Sequence, residues 1–516
     1  MRSLRELLKR TPRREAGRRA GGSSRPRPLR LPRTFQAAET GRLVADWTTM
    51  PVPADSSIHG GLQKMRARAR HAARNRDEAV NFLGMVRKHV VGPDGIQLQA
   101  QVKNADGTPD DAANKALETA WRDWGQAKTC DMERQLDWVG LQQLVARTVA
   151  KDGEVLVHEH YGAACGPDGY AVQVIDPELL DVNLNQEGLP GGGKIRMGIQ
   201  FDQYNRPTHY HLLDEPAGVG SLQAGYHAVG TKHRVVPASA IIHLYLKEDP
   251  GQSRGVPWMH SALWRLNMLG AFQDAAVVAA RAGAQKLGVI TTPDGVSTDH
   301  DDEEDDGTPI EEMEAGLYQY LREGETFNPY DPTYPHALYG DFNKSVLRGI
   351  SSGLQVSYNA LANDLEGVNF SSIRQGVLDE RDAWRILQGW LAMALNHRVY
   401  GNWVRMKLLA TGIPVQSPSG GVGHLRITDL ARYRRAHWQG RRWPWVDPLK
   451  DIQAAREEIA LGVNTVSRVI REKGLEPREV FLERQAELKE MAELGILPVP
   501  PKAAEPPAPP PPEEED

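Results

Sequence analysis

A chain of 516 residues with 40% hydrophobic and 25% charged residues has the makeup of a soluble protein, with length for two to four domains around a large core. No apolar run nears the roughly 18 residues that a membrane span needs, and no apolar segment follows the basic N-terminus as it would in a secretory signal. The net charge of −5 hides an asymmetry: residues 1–33 hold eleven Arg and Lys9 against Glu6 and Glu15, a formal +10, which leaves −15 on the remainder. A protein that simply coats DNA would be basic on its body, so that class is disfavoured. Cys130 and Cys165 have no metal or redox spacing and read as free thiols of a reducing compartment.

Residues 1–60 are rich in Arg, Pro, Gly and Ser without periodicity, and predict a flexible basic arm that meets nucleic acid or a partner protein. The same composition also suits an organelle transit peptide. A helix is expected from Gly61 to the Gly92-Pro93 stop, followed by an alternating strand, GIQLQAQV. Helices are expected over 110–127, carried by Leu117, Trp121 and Trp124, and over 136–151. From Gly153 to Leu246 the pattern turns to short β-runs: EVLVHEHY, YAVQVID, KIRMGIQFD, THYHLLD, HRVVPA and AIIHLYL. A helix rich in Ala and Gly should follow Pro257 for about 25 residues, with small side chains that let neighbouring helices approach closely. Two β-like pieces come next, on either side of the acidic run 299–306.

Residues 342–409 hold the strongest pattern: a short helix, a polar loop, and a long helix. Ile373, Val377, Trp384, Leu387, Leu391, Leu395, Val399, Trp403 and Met406 make one apolar stripe at steps of three, four and seven. Unbroken from Ser371 to Leu409, that helix would extend roughly 58 Å, with Gly376, Gly389 and Gly401 as places to kink or stop. The loop, about 358–370, carries Asn359, Asn363, Asp364, Glu366, Gly367 and Asn369. Three helical segments are expected over 448–494, and 496–516 is a Pro/Glu tail. The fold class is α+β, mainly helical.

Candidate chemistry is sparse. His158 and His160 share a strand face, and His209 and His211 repeat the spacing, which can bind a metal but more simply lines a polar sheet face. Gly191-Gly192-Gly193-Lys194 fails the phosphate-loop pattern because Ile195 follows the lysine; a hairpin turn is the simpler reading. The run 299–306 lacks calcium-loop spacing. Residues 462–474, with Arg468, Arg471 and Lys473, faintly suit a helix-turn-helix. No nucleophile–base arrangement emerges from spacing, so neither a catalytic residue nor a cofactor is assigned.

Four stretches in order resemble the lambda-type portal proteins of tailed bacteriophages. SRGVPWMHSALWRLNMLGAFQDA is similar to the family's RG-x-P segment and following helix. LREGETFNPYDPTYPHALYGDF resembles its G-E…P-x-x-P piece. GISSGLQVSYNALANDLEGVNFSSIRQGVLDERDAW resembles its helix and "D…N-(Y)-S-S-x-R" loop, with Phe370 where Tyr is more usual, and WVDPLKDIQAAREEIALGVNT resembles its C-terminal signature. The resemblance spans about 40–495 and implies a portal fold of wing, stem, clip and crown, assembled as a ring of twelve around a DNA channel at one capsid vertex. It places the wing at 61–254, a stem helix at 255–283, the clip at 284–341, a second stem helix at 342–357 and the channel loop at 358–370. A long helix returning to the wing would occupy 371–446, and the crown 447–495.

The implied partners are double-stranded DNA, the large terminase subunit, the major capsid protein and scaffold, and head–tail connector proteins, with no membrane. The implied location is the virion, after assembly in host cytoplasm. The expected DNA-channel residues are Lys344, Arg348, Asn359, Asn363, Asp364, Asn369 and Arg374. Two other readings stay open: a metal-dependent hydrolase built on 153–246, and a helix-turn-helix DNA-binding protein.

Overall fold

The computed structural model describes residues 42, 45, 46, 48–213, 233–284, 288–291, 326–329, 338–366, 370–416, 421–443, 448–473, 475 and 477–496. The chain divides into a unit ending at Val52 and one beginning at Pro53, and the elements named below belong to the second. The expected N-terminal arm, the acidic run 299–306, most of the 284–341 segment, Asn369 and the Pro/Glu tail fall wholly or largely outside the described residues.

Helix α1 runs Ala54–Asn75 and therefore starts inside the expected 1–60 arm. Its early start follows from Asp55 in the first turn, which favours a helix N-terminus and accepts hydrogen bonds from the Ser253 amide (2.8 Å) and hydroxyl (2.7 Å). The single helix expected to Gly92 is broken: Arg76 is extended (φ −123, ψ 121), and α2, Asp77–Val86, restarts on Asp77 and Glu78. A π-helical turn, Arg87–Val91, continues α2 to Gly92.

Strand β1 (Gln97–Ala100) pairs antiparallel with β14 (Ala436–Gln439), far along the chain. Helices α3 (Asp111–Trp124), α4 (Ala127–Cys130) and α5 (Trp138–Asp152) follow, with α3 and α5 capped by Asp110 and Asp137. Trp121 and Trp124, three apart on α3, stack at 4.7 Å, and Trp403 meets Trp121 edge-on at 5.1 Å. Two of the buried indole nitrogens have partners: Trp124 Nε1 donates to the Tyr170 carbonyl (3.0 Å) and Trp403 Nε1 to Asp168 (3.1 Å).

The β-region forms two sheets. Strands β2 (Glu154–Tyr161), β3 (Tyr170–Ile175) and β9 (Ile241–Tyr245) make one, in order β3-β2-β9. Strands β4 (Gln186–Leu189), β5 (Gly193–Arg196), β6 (Ile199–Phe201), β7 (Pro207–Leu213) and β8 (His233–Pro237) make an antiparallel five-stranded meander. KIRMGIQFD, expected as one run, is a hairpin: Met197 (φ 46) and Gly198 (φ 82) both adopt positive φ between the Arg196–Ile199 pair, as a two-residue type I′ turn requires.

Glu154 joins these parts. Its side chain is 0% exposed and accepts from Arg66 Nη2 (2.8 Å), Arg254 Nε (2.8 Å), His243 Nε2 (3.0 Å) and the Gly255 amide (2.9 Å). Burial works to raise its pKa, yet the Arg254 guanidinium, His243 and Arg66 hold it well below the carboxylate range. Arg254 also donates to the Met197 carbonyl (2.6 Å), so one guanidinium ties both sheets together. A Cβ on Gly255 would lie 2.0 Å from the Gly153 carbonyl oxygen, so only glycine fits there.

Helix α6 is Leu263–Ala284, starting later than expected because the Trp258 amide is tied to the Ala150 carbonyl (3.0 Å) and 258–262 form turns. Strands β10 (Gly288–Thr291) and β11 (Thr326–Pro329) pair beyond it. Helix α7 (Tyr339–Leu354) packs on α6 through Phe272 against Tyr339 (5.7 Å) and Phe342 (5.1 Å), and Ser261 Oγ donates to the Gly353 carbonyl (2.9 Å). Then come α8 (Tyr358–Ala362) and α9 (Phe370–Leu391), a π-helical turn (Ala392–Asn396), and α10 (His397–Ala410). The long helix is thus continuous, and its irregularity is the π turn rather than a kink at a glycine. Trp384, Leu391, Leu395, Val399 and Trp403 of the predicted stripe are buried. Polar bonds fix α10 to the sheet: Arg398 (2.8 Å) and Asn402 (2.7 Å) on Glu159, and Lys407 on Asp168 (2.6 Å). The chain closes with β12 (Pro414–Gln416), β13 (Val422–His424), α11 (Leu430–Tyr433), β14, α12 (Pro448–Ala460), α13 (Val466–Glu472) and α14 (Pro477–Glu493).

Candidate nucleic-acid interface

The turn between α7 and α9 is built from capping residues. Gln355 (φ 58) ends α7 in the left-handed region, and the Ser357 hydroxyl caps α8 by accepting from the Ala360 amide (3.4 Å). Asn363 (φ 52) ends α8 the same way, a conformation that Asn tolerates. The stretch expected as a loop from 358 is therefore helical for its first five residues. It is also pinned: Asn81 of α2 donates to the Ala360 (2.9 Å) and Leu361 (2.8 Å) carbonyls, and Leu361 is buried.

Two of the expected channel cations, Lys344 and Arg348, are engaged within the chain. Lys344 Nζ lies 3.2 Å from Glu366 and 3.7 Å from Asp364, and those carboxylates raise its pKa. Tyr358 donates to Asp364 (2.6 Å), which lowers that carboxyl's pKa, and the Arg348 guanidinium lies over the Tyr358 ring at 5.5 Å. Asp364 thus serves as an acceptor that organises the turn. Asn359 and Asn363 line a cavity of about 530 Å³ on the α9 side of α8. Arg374 lies on α9, and Asn369 is outside the described residues. Sequence spacing missed Lys88, Arg381 and Arg441, which line that same cavity from three separate segments.

Other candidates resolve more simply. The His158 and His160 rings are 4.1 Å apart on β2; burial, and then His160, bring the His158 pKa down to about 4. His160 pairs with Gln173 (3.0 Å). Among the described residues no group of three or more His, Cys, Asp or Glu could hold a metal. Gly191 and Gly192 (both φ 75) turn the chain between β4 and β5, with Lys194 on β5. Helix α13, the would-be recognition helix, has seven residues, none of them buried. No helix among the described residues is long and apolar enough to cross a membrane.

Comparison with known proteins places these features in a family. The sequence profile described as "Phage portal protein, lambda family" matches residues 40–388. A probable portal protein of Halomonas phage phiHAP-1 is 32% identical over 476 residues, covering 90% of this chain and 88% of the relative. Portal protein B of Escherichia phage lambda is 20% identical over 496 residues, covering 89% of each. A solved chain from the neck of a native GTA particle, computed with C12 symmetry, is 11% identical with a TM-score of 0.42, covering 85% of this chain and 99% of its own length.

Proposed function

The chain belongs to the lambda family of phage portal proteins, and on that premise we propose that about twelve copies close into a ring at one capsid vertex, with DNA passing along its axis. The observation that carries this reading is the family match, which runs through the β-region, α6, α7 and most of α9. The paired helices add to it. Trp264 (71%), Met268 (55%), Val277 (66%) and Val278 (65%) of α6 are exposed in the single chain, as suits a helix that a neighbouring subunit covers. In this reading 61–254 is the wing, α6 and α7 are the stem pair, 284–341 is the clip and 447–495 is the crown. The turn 358–370 faces DNA. Terminase, capsid protein with scaffold, and connector proteins are its partners, during assembly in host cytoplasm and then in the virion. The protein's part is structural rather than catalytic.

Negative-stain imaging of purified protein tests the ring directly: annular particles are expected, and monomers or dimers across assembly conditions would refute the reading. Deleting Leu365 to Val368 tests the turn. Rings should persist while DNA packaging or retention falls; normal packaging of a full genome would remove the turn from the channel role.

A further inference from the structure

The cavity of about 530 Å³ between α8, α9 and the segment 441–443 combines three cations, one carboxylate and an aromatic side. Lys88, Arg381 and Arg441 enter it from the first π turn, from α9 and from the strand-following segment. Its aromatic side is a stack: His89 lies 5.4 Å from Trp384 and 6.0 Å from Trp443, and the Arg381 guanidinium sits 5.7 Å from the Trp443 ring. The carboxylate lining it, Glu380, already accepts from Trp384 Nε1 (3.1 Å) and the Ser357 amide (3.4 Å). The lining thus sets three cations against one carboxylate. Burial, then Arg385 and Arg441, lower the Arg381 pKa against the partial help of Asp451. Burial, then Arg441, Lys88 and Arg381, bring His89 down to about 4.

The cavity is built for donors. Arg381 Nε is buried and has no hydrogen-bond partner. Trp443 Nε1 donates to His89 Nδ1 (3.0 Å), so neutral His89 carries its proton on Nε2 and can donate from there. Asn359 and Asn363 add side-chain amides. The frame is fixed independently of any ligand: the π turn's carbonyls at Lys88 and His89 are taken by the Arg441 guanidinium and the Gln388 amide (2.8 Å). A π turn beside a polar cavity recurs at functional sites.

We infer that this cavity binds a phosphate oxyanion, held by Lys88 and Arg381 and oriented by the neighbouring amides, and that the DNA backbone supplies it. The DNA half rests on the channel reading above; the pocket half does not. Lys344 and Arg348, already paired with Glu366, Asp364 and Tyr358, are then not the phosphate contacts.

Full-length protein and a fluorescent 30-base-pair duplex separate the alternatives. Lys88→Gln/Arg381→Gln should weaken DNA binding about tenfold or more and reduce the log–log salt slope by about one per engaged subunit, since the two cations hold one phosphate. Lys344→Gln/Arg348→Gln should change affinity less than about twofold. Pyrophosphate, compared with chloride at equal ionic strength, should raise the melting temperature of the wild type and not of the pocket variant. If the wild type binds no duplex but keeps the pyrophosphate shift, the channel reading fails and the pocket stands. Unchanged DNA affinity together with equal pyrophosphate shifts overturns the pocket. So do rings that fall apart in the pocket variant while DNA affinity holds, since that outcome assigns the cations to a neighbouring subunit's carboxylate.

Discussion

Glu154 carries two guanidiniums, an imidazole and an amide with no access to water. Changing it to Gln leaves Arg254 buried without a counter-charge and Arg66 with Glu178 at 3.5 Å, and should cost about 3–5 kcal/mol in urea unfolding. The pH dependence has a definite direction. The folded pKa lies below the free value of about 4.3, so the stabilisation is complete above that pH and is lost as the pH falls through the folded value. The acid-side slope should be smaller in Glu154→Gln; an identical acid profile in the two proteins would remove Glu154 from this role. None of this was legible in the sequence. Residues 66, 154, 243 and 254 share no local spacing, and Arg254 stood out only through its place in a family-like RG-x-P stretch. The cations at 88, 381 and 441 were hidden for the same reason, whereas Lys344 drew notice from its nearness to the polar turn, and Asp364 and Glu366 were named as loop residues rather than as its ion-pair partners.

Among elements, the long helix was the most readable because its stripe repeats at steps of three, four and seven for many turns. Its π turn was not, because one looped-out residue leaves no compositional mark. The break at Arg76 was equally silent, having neither proline nor glycine. Gly389 of α9 has nothing within 4 Å of an added Cβ, so Gly389→Ala should stabilise the protein by about 0.5–1 kcal/mol, measured by thermal unfolding. A lowered melting temperature would mean that the position meets something in the assembled state. The pinning of α8 makes a second prediction. Asn81→Ala removes the donors to the Ala360 and Leu361 carbonyls and should release about 1–2 kcal/mol of local stability. Faster amide exchange confined to 358–366 would show it; unchanged exchange there would mean that burial of Leu361 alone holds the helix.

For the whole molecule, the exposed apolar face of α6 decides assembly in the proposed reading. Val277→Asp/Val278→Asp should leave the circular dichroism spectrum of the subunit intact and abolish rings in light scattering. Full rings from that variant would place the subunit contact elsewhere. The α+β class was readable from the switch to short β-runs at Gly153. How those runs divide into a three-stranded and a five-stranded sheet was not, since Met197 in a positive-φ turn is a rare choice.

The pairing of β1 with β14 sets a schedule for synthesis. Gln97 leaves the ribosome well before Gln439 exists, and at 5–20 residues per second the wait is roughly 20–70 s. Throughout that interval one edge of β1 lacks the strand that completes it, and an open edge invites pairing with another nascent chain. A polysome carrying many nascent copies of this chain is where such encounters are most frequent. Chains stalled before Ala436 should therefore be found on chaperones or in aggregates, while those released after Gln439 should not.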